Sequence, residues 1–199
     1  MKIATQAVLL ISLALPLAAA ADQSGNPPAQ DVFSYSYLQL DHQSVRSDFF
    51  ADRSAGNGLK FSYDFADSVY LFGQWNRLDF EALPGNQNLL GFGVGAHQAY
   101  SEQTSFYIDL ALLRDKLDAT AGGASDDYWR VSYGFRMHAN SLLELDGGIF
   151  TERNTDFGRR PFGERLGFGL DFSVLSLMLS GEHTADGNRA ELALIWAYK

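Results

Sequence analysis

The stretch GLKFSYDF, residues 58–65, alternates between apolar and polar side chains and decides how the rest of the chain is interpreted. The apolar set is Leu59, Phe61, Tyr63 and Phe65, and the polar set is Lys60, Ser62 and Asp64. Successive side chains of a β-strand point to opposite faces, so the stretch predicts a strand with one apolar and one polar face. A soluble β-protein would bury the apolar face, whereas a barrel in a membrane would enclose the polar face.

The same alternation recurs to the end of the chain and predicts an all-β protein. Ten segments of about ten residues show it: 33–42, 57–66, 69–78, 88–98, 104–115, 127–137, 142–153, 164–172, 174–183 and 189–198. None has a convincing helical period. In the first segment both faces are apolar, because Phe33, Tyr35 and Tyr37 fall on one face and Leu38 and Leu40 on the other.

Glycines on the polar face indicate which face is enclosed. Gly91, Gly93 and Gly95 share one strand, and Gly167 and Gly169 share another. Glycine weakens a strand by about 0.5–1 kcal/mol relative to alanine, so a solvent-exposed face gains nothing from it. A crowded interior does need small residues, and we expect these glycines to leave room for long Arg and Glu side chains from facing strands. Phe61 is therefore predicted to face lipid and Lys60 to face a lumen.

The lengths of the connections between segments also favour a membrane barrel. The odd-numbered connections are mostly long, at 43–56, 79–87, 116–126 and 154–163, with a shorter one at 184–188. The even-numbered ones are shorter, at 67–68, 99–103, 138–141 and 173. Outer-membrane barrels have short periplasmic turns and longer external loops. Aromatic residues also lie near segment ends on the apolar face, where membrane interfaces favour them: Phe65, Trp75, Trp129, Trp196 and Tyr198.

These patterns predict a closed antiparallel up-and-down transmembrane β-barrel of ten strands, with eight as the alternative number, over residues 33–199. Closure is required because an unpaired strand edge in hydrocarbon costs several kcal/mol per backbone group. An even strand number places both termini on the periplasmic side. A soluble barrel that binds a lipophilic ligand, of the lipocalin type, is the alternative from another class.

The N-terminal residues predict export. Lys2 precedes an apolar run that ends in small residues at 19–21, which is typical of a cleaved signal peptide over residues 1–21. Residues 22–32 contain two prolines and a glycine, and we expect a flexible periplasmic lead-in. Without Lys2 the chain has 14 Lys+Arg against 24 Asp+Glu, a net charge of −10, which argues against nucleic-acid binding. The chain has no cysteine, and hence no disulfide or thiolate metal site.

Two resemblances concern the ends of the barrel. The C-terminal ELALIWAYK, with Leu192, Leu194, Trp196 and Tyr198 alternating, resembles the strand by which the insertion machinery recognises outer-membrane proteins. The whole segment 33–199 resembles small outer-membrane β-barrel proteins of the porin-like or OmpA-like type. FSYSYLQLD and GFGVGAH are similar to a plant-immunity-activator family of vesicle-associated outer-membrane barrels. The resemblances imply the outer membrane of a Gram-negative cell, with its lipid, lipopolysaccharide and insertion machinery as partners.

The polar face carries the candidate functional residues. The predicted lumen charges are Lys60, Asp64, Asp109, Arg130, Arg136, Glu144, Asp146, Arg165, Asp171, Glu182 and Glu191. Enclosed charges must be paired or hydrated, so they either lock a plugged lumen or line a narrow cation-preferring path. A ten-stranded barrel is only slightly wider than an eight-stranded one, whose interior is just filled by side chains. We therefore favour a narrow or plugged barrel that acts structurally or through external loops toward a surface or host partner, with a small cation channel as the alternative.

The residues that enzymes of such barrels use are poorly represented, and we predict no catalytic residues, cofactor or metal site. His183 has Ala185 where an outer-membrane lipid A deacylase would have serine, and no Asp-x-His of the omptin type occurs. His42 with Ser44 supplies only part of an acyltransferase-like set. The acidic pairs Asp126–Asp127 and Asp115/Asp118 resemble ordinary acidic loops more than a calcium site. A lipid-modifying enzyme is the less favoured alternative.

Overall fold

Ten antiparallel strands form a closed barrel in the computed structural model, which describes residues 33–47, 52–81, 84–119, 122–154, 162–185 and 187–198. The strands are β1 (Tyr37–Ser47), β2 (Asp52–Ala66), β3 (Val69–Phe80), β4 (Gly85–Ser101), β5 (Thr104–Ala119), β6 (Gly122–His138), β7 (Leu143–Asn154), β8 (Phe162–Asp171), β9 (Leu175–Thr184) and β10 (Gly187–Ala197). The predicted all-β, up-and-down barrel is confirmed, with ten strands rather than eight. The described residues contain no helix long and apolar enough to span a membrane. The predicted signal peptide, 1–21, and lead-in, 22–32, lie outside the described residues.

Strands β1 and β10 close the barrel. They pair antiparallel over eleven positions, from Tyr37 opposite Ala197 to Ser47 opposite Gly187. Every strand therefore has two hydrogen-bonded neighbours, and the sheet has no free edge. We call the end at which β1 begins and β10 ends the near end, and the opposite end the far end.

The outer wall of the barrel is apolar and the inner wall is polar. Phe61 exposes 46% of its surface, whereas the neighbouring Ser62 is fully buried inside. Every strand presents large apolar side chains outward, for example Leu40, Phe61, Leu71, Phe92, Leu112, Tyr133, Ile149, Phe168, Leu177 and Leu194 in chain order. The alternation in GLKFSYDF thus places its aromatic residues on the outside, as predicted.

The first strand differs from the sequence prediction of 33–42. It begins at Tyr37, and its outward-facing residues are Leu38 and Leu40. Phe33 and Tyr35 precede the strand and are buried inside the barrel, exposing 6% and 3%. Their alternation imitates a strand, but residues 33–36 instead cross the near end of the lumen.

The predicted long external loops are largely wrong, because the strands continue into them. The far-end connections are 48–51, 81–84, 120–121, 155–161 and 185–186, and the near-end ones are 67–68, 102–103, 139–142 and 172–174. The asymmetry lies in strand length instead: β4 and β6 have 17 residues each, whereas β8 and β9 have 10. The far-end extensions turn polar side chains outward, so the apolar band stops below them.

Inward-facing glycines accommodate neighbouring rings rather than the long charged side chains that we expected. A Cβ atom at Gly93 would overlap the Phe72 ring, and one at Gly95 would overlap Tyr70. Gly167 and Gly169 face Met178. The Phe72 and Tyr70 rings of β3 pack against Gly93 and Gly95 of β4, because only glycine lets a ring approach the backbone so closely.

The outward apolar band generates the first prediction. Phe92 lies in the middle of the outward apolar run of β4, and its side chain is 57% exposed. Phe92→Arg should lower the free energy of unfolding by about 2–4 kcal/mol, because a lipid-facing charge near the bilayer midplane loses its hydration. Urea titrations of barrels refolded in lipid vesicles, followed by tryptophan fluorescence, measure this change.

Ser125→Arg is the matched control, since Ser125 lies exposed in the far-end extension of β6. It should leave the free energy of unfolding nearly unchanged. Equal stability of the Phe92→Arg variant and the wild type in lipid would mean that the outer wall does not contact hydrocarbon.

Candidate functional site

The near end of the lumen is covered by residues 33–36, which we call the floor. The Phe33 ring stacks on His138 with centroids 4.4 Å apart. The Tyr35 ring stacks on His97 at 4.0 Å and on Tyr70 at 4.8 Å. Phe33 therefore touches β6 and Tyr35 touches β3 and β4, so the floor extends across the barrel to opposite parts of its wall.

Polar contacts hold the floor in place. The Tyr35 backbone N–H donates to Asp64 Oδ2 at 3.1 Å, and Arg136 Nη1 donates to the Ser34 carbonyl at 3.2 Å. The Arg136 guanidinium also lies 4.7 Å from the centre of the Phe33 ring. Buried backbone groups need such partners, so the inward charges Asp64 and Arg136 have a direct part in closing the lumen.

Three predicted cations and three predicted acids form ion pairs inside the lumen. Two pairs join neighbouring strands: Arg136 Nε lies 2.8 Å from Glu144 Oε1, and Arg165 Nε lies 3.0 Å from Asp146 Oδ1. The third crosses the barrel from β6 to β9, with Arg130 Nη1 3.2 Å from Glu182 Oε1. Pairing of this kind offsets the cost of removing charges from water.

The other predicted charges have different partners. The remaining acids contact neutral or histidine side chains: Asp64 with His97, Asp109 with the Tyr70 hydroxyl, Asp171 with His138 and Ser176, and Glu191 with Gln39. Lys60 forms no ion pair with the described residues and lies over the Phe72 ring, with Nζ 5.0 Å from its centre. The pairing predicted from sequence is therefore partial.

The inner wall also holds charged residues that sequence reasoning missed. They are the cation Arg189 and the acids Asp41, Asp115, Asp126 and Glu152. Added to the four cations and seven acids predicted, they make five cations and eleven acids among the described side chains, an excess of six negative charges if all are ionised. The available signal was the alternation itself. The alternation did not identify Asp41, because the inward face of the first segment was ambiguous. It did not identify Asp126, because the predicted strand began one residue later.

Two small cavities lie within the part of the lumen that the structure describes. One has a volume of about 70 Å³ and the other about 60 Å³, and each is large enough for only a few water molecules. Both are lined by the same four residues, which we call the constriction: Gln39, Lys60, Asp109 and Arg165. The cavity nearer the floor is also lined by Tyr35, Arg136 and Glu144.

The histidines lie on both walls of the barrel. His97 and His138 face the lumen, whereas His42 and His183 face outward. His42 Nδ1 lies 3.0 Å from Asn57 Oδ1, and the structure shows no hydrogen bond between His42 and Ser44. The partial acyltransferase-like set is therefore not assembled as a nucleophile and its base.

The acidic pairs considered for calcium are separated by the strand geometry. Asp126 faces inward and Asp127 outward, where the Arg114 guanidinium donates to both Asp127 oxygens at 2.8 and 2.9 Å. That hydrogen bonding lowers the pKa of the exposed Asp127 carboxyl. Asp115 and Asp118 likewise point to opposite faces, and Asp118 accepts from Lys116.

The residues of the C-terminal resemblance form one outward row. Leu192, Leu194 and Trp196 on β10, and Tyr198 just beyond it, are each at least 41% exposed. The Tyr198 hydroxyl donates to the Ser62 carbonyl at 2.9 Å. The row is thus accessible on the outer wall, and its recognition by the insertion machinery stays a prediction.

Comparison with known proteins identifies the architecture. No protein-family model matches the chain, and no curated protein matches it in sequence. Among solved structures, the β domain of the Bordetella autotransporter Brka matches with a TM-score of 0.53 and 12% identity, covering 83% of this chain and 100% of that one. The NanC porin matches with a TM-score of 0.51 and 8% identity, covering 82% and 100%. At these identities the likeness establishes the barrel fold and leaves the activity open.

The enclosed ion pairs generate the second prediction. Asp146 pairs with Arg165 and also accepts a hydrogen bond from the Tyr107 hydroxyl at 3.4 Å. Asp146→Ala leaves the buried guanidinium without this partner, and the free energy of unfolding should fall by about 3–5 kcal/mol. Urea unfolding of the barrel in detergent or lipid measures the loss.

The matched control removes an acid from the exposed ion pair on the outer wall. Asp127→Ala should change the unfolding free energy far less, because solvent and salt screen its interaction with Arg114. If Asp146→Ala and Asp127→Ala lowered the unfolding free energy equally, the lumen would be as well hydrated as the surface.

Proposed function

We propose that this chain is an outer-membrane barrel with a closed lumen, whose role is structural or based on surface interaction rather than transport. The apolar outer wall, the closed seam and the lumen-facing charges support the membrane location, since an apolar wall on this scale would be unfavourable in water. The first and last described residues, 33 and 198, lie at the near end, which we assign to the periplasm. The far end then faces the outside of the cell.

The observation that carries the closed-lumen proposal is the succession of layers along the barrel axis. Residues 33–36 cover the near end, a cavity of about 60 Å³ follows, and the constriction separates it from a cavity of about 70 Å³. Arg130, Glu182 and Arg189 line this second cavity. A steadily conducting pore needs a continuous water path through all of these layers, and we propose that their side chains interrupt it.

The far end supplies the surface for interaction. The extensions of β4, β5 and β6 carry exposed polar and charged groups outward, among them Arg114, Lys116 and Asp127. Their position above the apolar band supports contact with phosphorylated lipid headgroups and with molecules beyond them. We propose outer-membrane lipid, lipopolysaccharide and a surface or host protein as the partners of this region, and no catalytic role.

The membrane location is tested by cell fractionation. The full-length chain, expressed in a Gram-negative host, should be recovered in the outer-membrane fraction and resist extraction by alkaline carbonate. Residues 1–21 should be absent from its N-terminus. Recovery in the soluble periplasm without detergent would support the lipocalin-like alternative instead.

The closed lumen is tested by electrical recording in planar bilayers. The wild type should show little or no steady conductance. The variant Phe33→Ala/Tyr35→Ala/Lys60→Ala removes the two floor rings and the Lys60 side chain in the constriction, so it should conduct. Phe33→Ala/Tyr35→Ala alone is the control and should remain nearly closed, because the constriction is intact. Large stable wild-type openings would contradict the closed lumen.

A small cation channel is the second candidate, and one observation favours it. Among the side chains that the structure describes, the inner wall carries eleven acids and five cations, and such an excess would concentrate cations in a low-dielectric pore. The reversal potential of the triple variant under a salt gradient distinguishes the possibilities. It should show cation preference. Anion preference would mean that the inner-wall charges are not ionised as assumed.

A further inference from the structure

We propose that His138, Glu144 and Asp171 form a binding site for a first-row divalent cation such as Zn²⁺ at the periplasmic end of the lumen. One ligand atom from each residue lies within 4.8 Å of the other two. The three residues belong to three consecutive strands, because His138 ends β6, Glu144 lies near the start of β7 and Asp171 ends β8.

The strand register brings the three residues together. His138 is the direct partner of Glu144 in the β6–β7 pair, and Glu144 is opposite Gly169 in the β7–β8 pair. Asp171 lies two positions beyond Gly169 and therefore faces the same interior. His138 Nε2 and Asp171 Oδ2 are already 3.8 Å apart. Glu144 also belongs to one of the lumen ion pairs, the one with Arg136.

Each side chain is held by a group that is not itself a ligand. Asp171 Oδ1 accepts hydrogen bonds from the Ser173 backbone N–H at 2.8 Å and from the Ser176 hydroxyl at 3.2 Å. Oδ2 is therefore left to face the histidine. Phe33 stacks on the His138 ring with an interplanar angle of 5°, which fixes the plane of the imidazole. Outer-shell contacts of this kind orient metal ligands in proteins.

Glu144 is the buried member of the set and has a second partner. Its side chain is 2% exposed, and its Oε1 accepts from Arg136 Nε at 2.8 Å. The other oxygen remains for a cation. The guanidinium next to it weakens the attraction of this carboxylate for a metal ion. A carboxylate between an arginine and a metal is a common arrangement of outer-shell support.

The donor set indicates the class of ion. Ca²⁺ and Mg²⁺ prefer oxygen ligands alone, whereas one imidazole nitrogen with two carboxylates suits Zn²⁺ and similar first-row cations. Tetrahedral Zn²⁺ with bonds of about 2.0–2.2 Å holds its ligand atoms about 3.5 Å apart, so the side chains need to close by roughly 1 Å. A water would take the fourth position, since the His138 and Asp171 side chains are 18% and 20% exposed.

Sequence reasoning predicted no metal site because it examined adjacent acids only. The three ligands are 6 and 27 residues apart along the chain, and only the hairpin register makes them neighbours. An ion held here would join β6, β7 and β8 directly beneath the Phe33 ring. It would therefore stabilise the near end of the barrel and the floor that covers it.

Isothermal titration calorimetry tests the proposal on the untagged barrel, refolded in detergent and freed of metal with a chelator. Zn²⁺ should bind with one ion per barrel and raise the melting temperature. His138→Gln and Asp171→Asn should each weaken binding at least about tenfold. His183→Gln is the matched control, because this histidine lies on the outer wall, and it should bind Zn²⁺ like the wild type.

Two further measurements keep the test decisive. Bound Co²⁺ should give visible d–d absorption in the wild type that is lost in His138→Gln, and Mg²⁺ alone should give no binding heat. Heat-modifiable migration on gels verifies that each variant is folded. If His138→Gln does not fold, Asp171→Asn is the deciding variant. Its asparagine keeps a side-chain oxygen that accepts from the Ser173 N–H and the Ser176 hydroxyl. Absence of wild-type Zn²⁺ binding, unchanged binding in folded Asp171→Asn, or equal binding of Mg²⁺ would overturn the proposal.

Discussion

Pairing of every backbone group within the sheet is the constraint on which this structure depends. The outer wall offers apolar side chains and no water to the peptide groups behind it, so each N–H and C=O needs a partner in a neighbouring strand. The β1–β10 seam satisfies this requirement over eleven positions. Without the seam, two strand edges would remain open in an apolar environment. The hydrogen bonds of the other nine strand pairs would not offset the cost of those unpaired backbone groups.

Closure of the sheet creates a second constraint inside the barrel. A ten-stranded wall encloses a narrow space, and the charged inner face of each strand has to find partners across that space or beside itself. Arg136 and Arg165 pair with acids on a neighbouring strand, whereas Arg130 reaches Glu182 across the lumen. Glycines on β4 admit the rings of β3, and the interior is filled by a mixture of aromatic packing and ion pairs.

The floor links the two constraints to the proposed function. Residues 33–36 leave the sheet, and two of their backbone groups form hydrogen bonds with inward charges: the Tyr35 N–H with Asp64 and the Ser34 carbonyl with Arg136. The same segment places Phe33 against His138 and Tyr35 against His97. The charged residues that hold the floor therefore contribute to closing the barrel, and the residues around His138 connect that closure to the proposed cation site.

The sequence by itself predicted ten strands, with eight as the alternative, and the outward face of every strand except the first. Period-2 alternation is a local property of the backbone, so GLKFSYDF separated Phe61 and Lys60 onto opposite faces, and the glycines and connections elsewhere in the chain assigned Phe61 to the outside. The approximate segments could be located in the same way, except where Tyr35 and Leu38 gave conflicting signals. The same alternation predicted eleven charges on the inner face. Asp41, Asp115, Glu152 and Arg189 were missed although they lie within the predicted segments, and Asp126 lies outside them.

The tertiary structure alone decided how far the strands extend, what fills the lumen and which inward groups meet. Strand pairing at the far end converts most of the predicted loops into sheet, because hydrogen bonds to a neighbouring strand outweigh the weak turn signals of the sequence. The floor packs inside only because a closed barrel provides an interior for Phe33 and Tyr35. His138, Glu144 and Asp171 become neighbours only through register, which depends on contacts between strands rather than on the order of residues within one.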